Sequence, residues 1–179
     1  EDDQVIQVRL TTGDSQIIMA NKHGRAIRFH ESTVREMGRT ATGVRGMTLD
    51  ETGDDEVIGM ICIKDPEKET VMVVSEQGYG KRSEIEDYRI TNRGGKGVKT
   101  LNITEKTGNL VAIKSVTDEN DLVIINKSGI TLRMKVADVR IMGRATQGVR
   151  LINLEKRNDE IASVCKVLSE TESDSSNSE

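Results

Sequence analysis

Gly38-Arg39-Thr40-Ala41-Thr42-Gly43-Val44-Arg45 is the stretch whose reading decides the fold. It returns as Gly143-Arg144-Ala145-Thr146-Gln147-Gly148-Val149-Arg150, and in divergent form as Asn92-Arg93-Gly94-Gly95-Lys96-Gly97-Val98-Lys99. Each copy offers a basic residue, a short run closed by glycine, a valine and a second basic residue. Glycine reaches backbone angles that residues with a Cβ avoid. The small side chains let a large partner approach the backbone, and positive charge at both ends suits a phosphate contact. Three copies at constant internal spacing point to a repeated architecture.

Working outward, each stretch lies downstream of a glycine: Gly24, Gly78 and Gly129. Four residues after these come Arg28, Arg82 and Arg133, and fifteen after come Arg39, Arg93 and Arg144. Nineteen after come Gly43, Gly97 and Gly148, and twenty-one after come Arg45, Lys99 and Arg150. The repeats are 54 and 51 residues long. Strand-built repeats near this period suggest propeller blades.

Each repeat opens with a hairpin. Ile17 to Ala20 turns through Asn21 to Gly24 into Arg25 to Phe29. Val71 to Ser75 turns through Gly78, and Leu122 to Ile125 through Gly129. A turn glycine supplies the positive φ such hairpins need. The opening strands are apolar in runs, which predicts burial on both faces. A polar connection, the glycine-basic loop, a strand-like piece such as Gly46 to Leu49 and an acidic turn follow. Closing strands are read at Val57 to Ile63, Leu110 to Val116 and Ile161 to Val167. About four strands per repeat is the content of one propeller blade. The chain is thus all-β, with three four-stranded blades at about 17–63, 71–116 and 122–167. Val5 to Leu10 reads as a leading strand, so residues 1–16 are expected to close a preceding blade. Three blades fall below the number of a closed ring, which predicts an open arc, or two chains paired through exposed edge strands.

The net charge of −4 looks wrong for a nucleic-acid partner until it is placed. Glu1-Asp2-Asp3 carries −3 and residues 169–179 another −4, leaving a body at +3. The serine- and glutamate-rich tail, residues 168–179, is expected to be disordered. No signal-peptide pattern opens the sequence, and no apolar run approaches a membrane span. Cys62 and Cys165 have no partners at ligand spacing and are expected to be buried, inert thiols. With only Phe29, Tyr79 and Tyr88 as aromatics, the core must be aliphatic and methionine-rich. The same scarcity argues against single-strand binding by base stacking and favours contact with a duplex backbone.

The loops Gly38 to Arg45 and Gly143 to Arg150, and the hairpin Ser75-Glu76-Gln77-Gly78-Tyr79-Gly80-Lys81-Arg82, resemble the C-terminal domain of the bacterial DNA gyrase A protein. The resemblance runs from about Val5 to Val167. It implies a propeller-like β-pinwheel that wraps duplex DNA around a basic outer edge. It further implies negative supercoiling by an ATP-hydrolysing type IIA topoisomerase, with the rest of gyrase A and gyrase B as partners, in the cytoplasm. This chain would be the second half of the domain. Arg93-Gly94-Gly95-Lys96-Gly97 matches the last five positions of that family's glutamine-arginine-arginine-glycine-glycine-lysine-glycine box, while Thr91 and Asn92 depart from its first two. The A protein of topoisomerase IV has a related pinwheel and stays as an alternative, as does a propeller-type protein-interaction scaffold.

The candidate DNA-contacting residues are therefore Arg28, Arg39, Arg45, Arg82, Arg93, Lys96, Lys99, Arg133, Arg144 and Arg150. Solvated strand residues, or ion pairs to acidic turns such as Asp54-Asp55, are the bland alternative, but surface pairs contribute little and leave the repetition unexplained. His23 and His30 have no partners at ligand spacing and read as surface residues. No nucleophile with its base, no P-loop and no cofactor or metal pattern is visible, so catalysis is expected to lie in other parts of the complex.

Overall fold

The computed structural model describes residues 3–154 and 159–169. Eleven strands are assigned among them: β1 (Gln16–Asn21), β2 (Arg25–His30), β3 (Val57–Ile63), β4 (Thr70–Ser75), β5 (Tyr79–Glu84), β6 (Val98–Lys99), β7 (Leu110–Val116), β8 (Asn120–Asn126), β9 (Thr131–Lys135), β10 (Val149–Arg150) and β11 (Ile161–Leu168). A single 3-10 turn follows each hairpin, at Glu31–Thr33, Ile85–Asp87 and Val136–Asp138. The strands build three antiparallel blades, a propeller-like pinwheel in which β4 is buried throughout. The hairpins close as their sequence dictates. Gly24 and Gly78 take φ of +81° and +79°, and Asn21 Oδ1 accepts from the Arg25 amide at 2.7 Å.

The sheets run β3-β1-β2-β6, then β10-β5-β4-β7, then β11-β8-β9. The fourth strand of a blade thus comes from the following repeat: Val98 and Lys99 pair with Ala26 and Arg25, and Val149 and Arg150 with Gly80 and Tyr79. The crossing segment is the closing end of the glycine-basic loop, whereas the strand-like piece expected after the loop, such as Gly46 to Leu49, forms no assigned strand. The crossing is fixed by glycine. A Cβ on Gly97 would lie 2.3 Å from the Ala26 carbonyl oxygen, and one on Gly148 2.5 Å from that of Gly80. Only glycine fits there, and both residues hold positive φ. The third blade has three strands among the described residues, and β9 carries no outer partner among them.

The cores lie between blades. Ile18, Ala20 and Ala26 of the first blade pack on Val71, Val73 and Ile85 of the second. Met72 and Val74 of the second pack on Leu122, Ile124 and Val136 of the third. The first two blades are therefore apolar on both faces, which explains their unbroken apolar runs. A third cluster, Ile17, Ile27, Phe29 and Met47, covers the opposite face of the first blade.

Val5 to Leu10 is not a ladder strand. Val5, Val8 and Leu10 are exposed, and one side-chain contact, Gln7 Oε1 accepting from the Met60 amide at 2.8 Å, ties the segment to β3. Of the expected tail, Leu168 ends β11 and the Ser169 amide donates to Glu119 O at 2.9 Å; the rest lies outside the described residues. Cys62 is half-buried, with desolvation pushing its thiol pKa up, but Cys165 is exposed, on a strand of which only Ile161 and Val164 are buried.

Candidate nucleic-acid interface

The basic residues named from the sequence fall into two groups. Arg28 and Arg82 are buried, at 4% exposure each. Arg28 donates to the carbonyls of Ile85 at 3.0 Å and Tyr88 at 2.9 Å in the next blade, and also to Gln16 Oε1. Arg82 repeats the device, donating to Thr70 Oγ1 at 3.0 Å, to Val136 O of the third blade at 3.2 Å and to Asp118 at 2.7 Å. These guanidiniums fasten one blade to the 3-10 turn of the next. They cannot meet a phosphate, which corrects their placement among the DNA-contacting residues. Arg133, on the last blade, is exposed and bonds its own blade's Asp121 at 2.8 Å and Leu168 O at 3.3 Å.

The loop residues lie elsewhere. Arg39, Arg45, Lys96, Lys99 and Arg150 are exposed, and Arg93 and Arg144 are half-buried. The three loops touch end to end. Gly94 N donates to Gly46 O at 2.6 Å and Thr48 N to Gly95 O at 2.9 Å, joining the first loop to the second. Asn102 N donates to Thr146 O at 3.0 Å, joining the second to the third. Arginines stitch the same seams: Arg93 Nη1 reaches Arg45 O at 3.1 Å, and Arg144 Nη1 reaches Lys99 O at 3.2 Å. Carbonyl partners leave the positive charge uncompensated. Among the described residues, Arg39 and Arg45 make no ion pair with Asp54 or Asp55. Arg150 lies over the Tyr79 ring, 5.5 Å from its centroid, and donates to its hydroxyl at 2.9 Å.

Asp50 and Asp54 are turned toward His23. His23 is thus no isolated surface residue: its hydrogen bond to Asp50 raises its pKa against the desolvation of the ring. Asp50, held by Thr52 first and His23 second, falls to about 2. The ring has one nitrogen on Asp50 and the other on Asp54, so a charged imidazolium satisfies the group by itself. His30 similarly meets Asp14, at 3.0 Å.

One further series of basic residues was legible and missed. Eleven residues after each hairpin glycine stands an arginine: Arg35, Arg89 and Arg140. All three are exposed, and among the described residues none has a side-chain hydrogen bond or ion pair. Arg89 shares a groove with Arg93, Gly95 and Lys96. Ile90 and Ile141, the next residues along, bridge to Arg28 and Arg82 of the preceding blades, so Arg89 and Arg140 occupy equivalent places at the same rim. The offset arithmetic that found the loops would have found them. One cation is spent inside: Lys81 is fully buried, donates to Gly143 O at 2.6 Å, and desolvation lowers its pKa to about 8.

The geometry matches known proteins throughout. The family described as "DNA gyrase C-terminal domain, beta-propeller" matches residues 15–64, 69–117 and 120–165. The gyrase A protein of Staphylococcus aureus (strain NCTC 8325 / PS 47) is 48% identical over 179 residues, covering 100% of this chain and 20% of the relative. That of strain MRSA252 is 53% identical over 154 residues, covering 86% of this chain and 17% of the relative. The chain thus spans about one fifth of the curated relatives it matches. A solved C-terminal domain of DNA topoisomerase IV superposes with a TM-score of 0.86 at 26% identity, covering 94% of this chain and 51% of that one. A solved DNA gyrase A C-terminal domain gives 0.79 at 28%, covering 88% and 52%. Among the described residues no helix is long and apolar enough to cross a membrane. On the family match and these identities together, the chain belongs to the DNA gyrase C-terminal domain family of β-propellers.

Proposed function

We propose that this chain binds double-stranded DNA without reading sequence and bends it along the rim formed by the three joined loops. Within a whole gyrase, together with the rest of gyrase A and with gyrase B, it holds a DNA segment with a set hand and so supports ATP-dependent negative supercoiling in the cytoplasm. Cleavage and ATP hydrolysis belong to other parts of that complex. The observation that carries this reading is the end-to-end contact of the loops, which makes three separate basic stretches into one track. The name shared by the relatives supports the gyrase setting. A protein-interaction scaffold would present apolar residues at the repeated rim positions, where this chain presents arginines.

The energetics decide how many contacts are needed. Bending 20–30 bp costs about 1–6 kcal/mol, so several phosphate contacts must act together. Nine repeated cations line the rim once the hairpin series, with Arg28 and Arg82 buried and Arg133 bonded within its own blade, is set aside and the missed series added: Arg35, Arg39, Arg45, Arg89, Arg93, Lys99, Arg140, Arg144 and Arg150. Full engagement gives a log–log salt slope of about −8. Titrating a fluorescent duplex over a salt series measures it. Arg35→Glu, Arg89→Glu and Arg140→Glu are each expected to lower the slope by about one with the fold intact. A wild-type slope near −2, or unchanged binding in the triple variant, overturns the reading.

A further inference from the structure

The closing strands β3, β7 and β11 neighbour one another in succession. Each forms one edge of its sheet, and in the first two sheets the strand from the glycine-basic loop forms the other edge. Toward their carboxyl ends the closing strands line a cavity of about 410 Å³, within the usual span of ligand pockets. Each blade contributes one lysine to its wall: Lys64, Lys114 and Lys166. Arg9, from the segment before β1, adds a fourth cation.

These charges are not compensated from within. Among the described residues, the side chains of Arg9, Lys64 and Lys114 make no hydrogen bond or ion pair. Lys166 Nζ donates across to the second blade, but to a carbonyl, Ser115 O at 2.7 Å. The cavity has one carboxylate, Glu69, which is taken up by other donors. Its Oε1 accepts from the amides of Lys64 and Asp65 at 3.2 Å each, and its Oε2 from the Ser115 hydroxyl. Lys114 is half-buried. Desolvation pulls its pKa down, and the charges of Arg9 and Lys166 pull the same way. The fold does not need an ammonium at this point. Lys114 pairs with Met72 as Ile61 pairs with Ile18, so the equivalent place in the first blade is filled by isoleucine.

We propose that this cavity is a site for a small multivalent anion of the phosphate class, such as diphosphate, held by Lys114 and Lys166 with Lys64 and Arg9 around it. Phosphate oxygens accept charge-assisted hydrogen bonds from ammonium groups, and a concave wall of one charge sign concentrates anions. A free anion is the occupant rather than the backbone of a duplex on the rim. In the first sheet β3 lies three strand spacings from β6, about 14 Å across the sheet. The inference rests on the cavity and not on DNA binding.

Isothermal titration calorimetry of the chain with sodium diphosphate, at low and fixed chloride, tests it. Saturable binding of one anion per chain is expected. Lys114→Met and Lys166→Met each remove a charged donor and are expected to weaken binding about ten-fold. Lys114 has no bonded partner to lose among the described residues, so Lys114→Met is expected to keep or raise the urea midpoint, which separates lost binding from lost folding. Arg89→Glu, on the rim, is expected to bind diphosphate as wild type does, and so is the chain saturated with duplex DNA. Absence of saturable binding overturns the proposal, as does an affinity unmoved by both lysine substitutions. Displacement of diphosphate by the duplex also overturns it, because the phosphates would then be those of DNA. The salt slope of DNA binding is read in separate titrations, so failure here leaves the rim reading standing.

Discussion

Replacing Arg82 by methionine separates the structural arginines from the rim arginines. The substitution keeps an unbranched apolar stem in a site that is 4% exposed and removes every donor. Two lost bonds are buried, to Thr70 Oγ1 at 3.0 Å and Val136 O at 3.2 Å. A hydrogen bond from a charged donor contributes about 1.5–3 kcal/mol, so the pair together amounts to about 3–6 kcal/mol. The bond to Asp118 adds little, because that carboxylate is 74% exposed and screened. Methionine packing recovers part of the loss, leaving about 3 kcal/mol. For a chain of this size that lowers Tm by about 6–12 °C. Arg89→Met, on an exposed side chain without partners among the described residues, is expected to stay within about 0.5 kcal/mol of wild type. Urea midpoints and a DNA salt series on both variants give the comparison. Arg82→Met loses stability and keeps its salt slope; Arg89→Met does the reverse. An Arg82→Met protein with an unchanged midpoint and a slope reduced by one refutes the assignment of that arginine to the blade joint.

Two more expectations follow from the joints. Gly97→Ala would set a Cβ 2.3 Å from the Ala26 carbonyl oxygen, on backbone that cannot yield, besides the cost of about 1–2 kcal/mol for a non-glycine residue at positive φ. Gly53→Ala, at φ +83° with open space around it, carries the φ cost alone, so equal urea midpoints for the two would contradict the rim-strand packing. Lys81 titrates at about 8 when folded against 10.5 for the free side chain, so the unfolded chain binds more protons between those values and stability rises with pH across that window. Tyr88, raised by burial from 10.0 to about 12, acts in the opposite sense from pH 10 upward, where the unfolded chain loses a proton that the folded chain keeps, so the rise is read between about 8 and 10. Lys81→Met reduces the rise to the part that Lys114, also lowered by desolvation, contributes, and parallel pH profiles for variant and wild type would show that the Lys81 ammonium is not desolvated as placed.

The repeat was legible because glycine is irreplaceable where a turn or a close approach demands it, and Gly24, Gly78 and Gly129 mark the same turn three times. Apolar runs in β4 and β8 gave the two-sided burial of the blades. The exchange of strands was not legible. Val98 and Val149 read equally well as part of their own repeat, and two-residue strands carry no alternation to count. That hidden exchange also concealed the fate of Arg28 and Arg82. An arginine in a strand reads as solvated, and its burial is made tolerable by carbonyls of a 3-10 turn more than fifty residues downstream. Arg35, Arg89 and Arg140 were missed for a different reason. They stand in the polar connection, outside the glycine-bounded stretch that set the search.

Because β6 belongs by sequence to the second repeat and by pairing to the first sheet, the architecture has no clean seam at which it can be shortened. Removing a repeat from the carboxyl side strips its upstream neighbour of an outer strand, and inserting one demands a glycine-valine-basic segment that fits a strand already in place. Gain or loss of blades in such a lineage must therefore proceed by units cut out of phase with the sheets, each excision running from one closing glycine to the next.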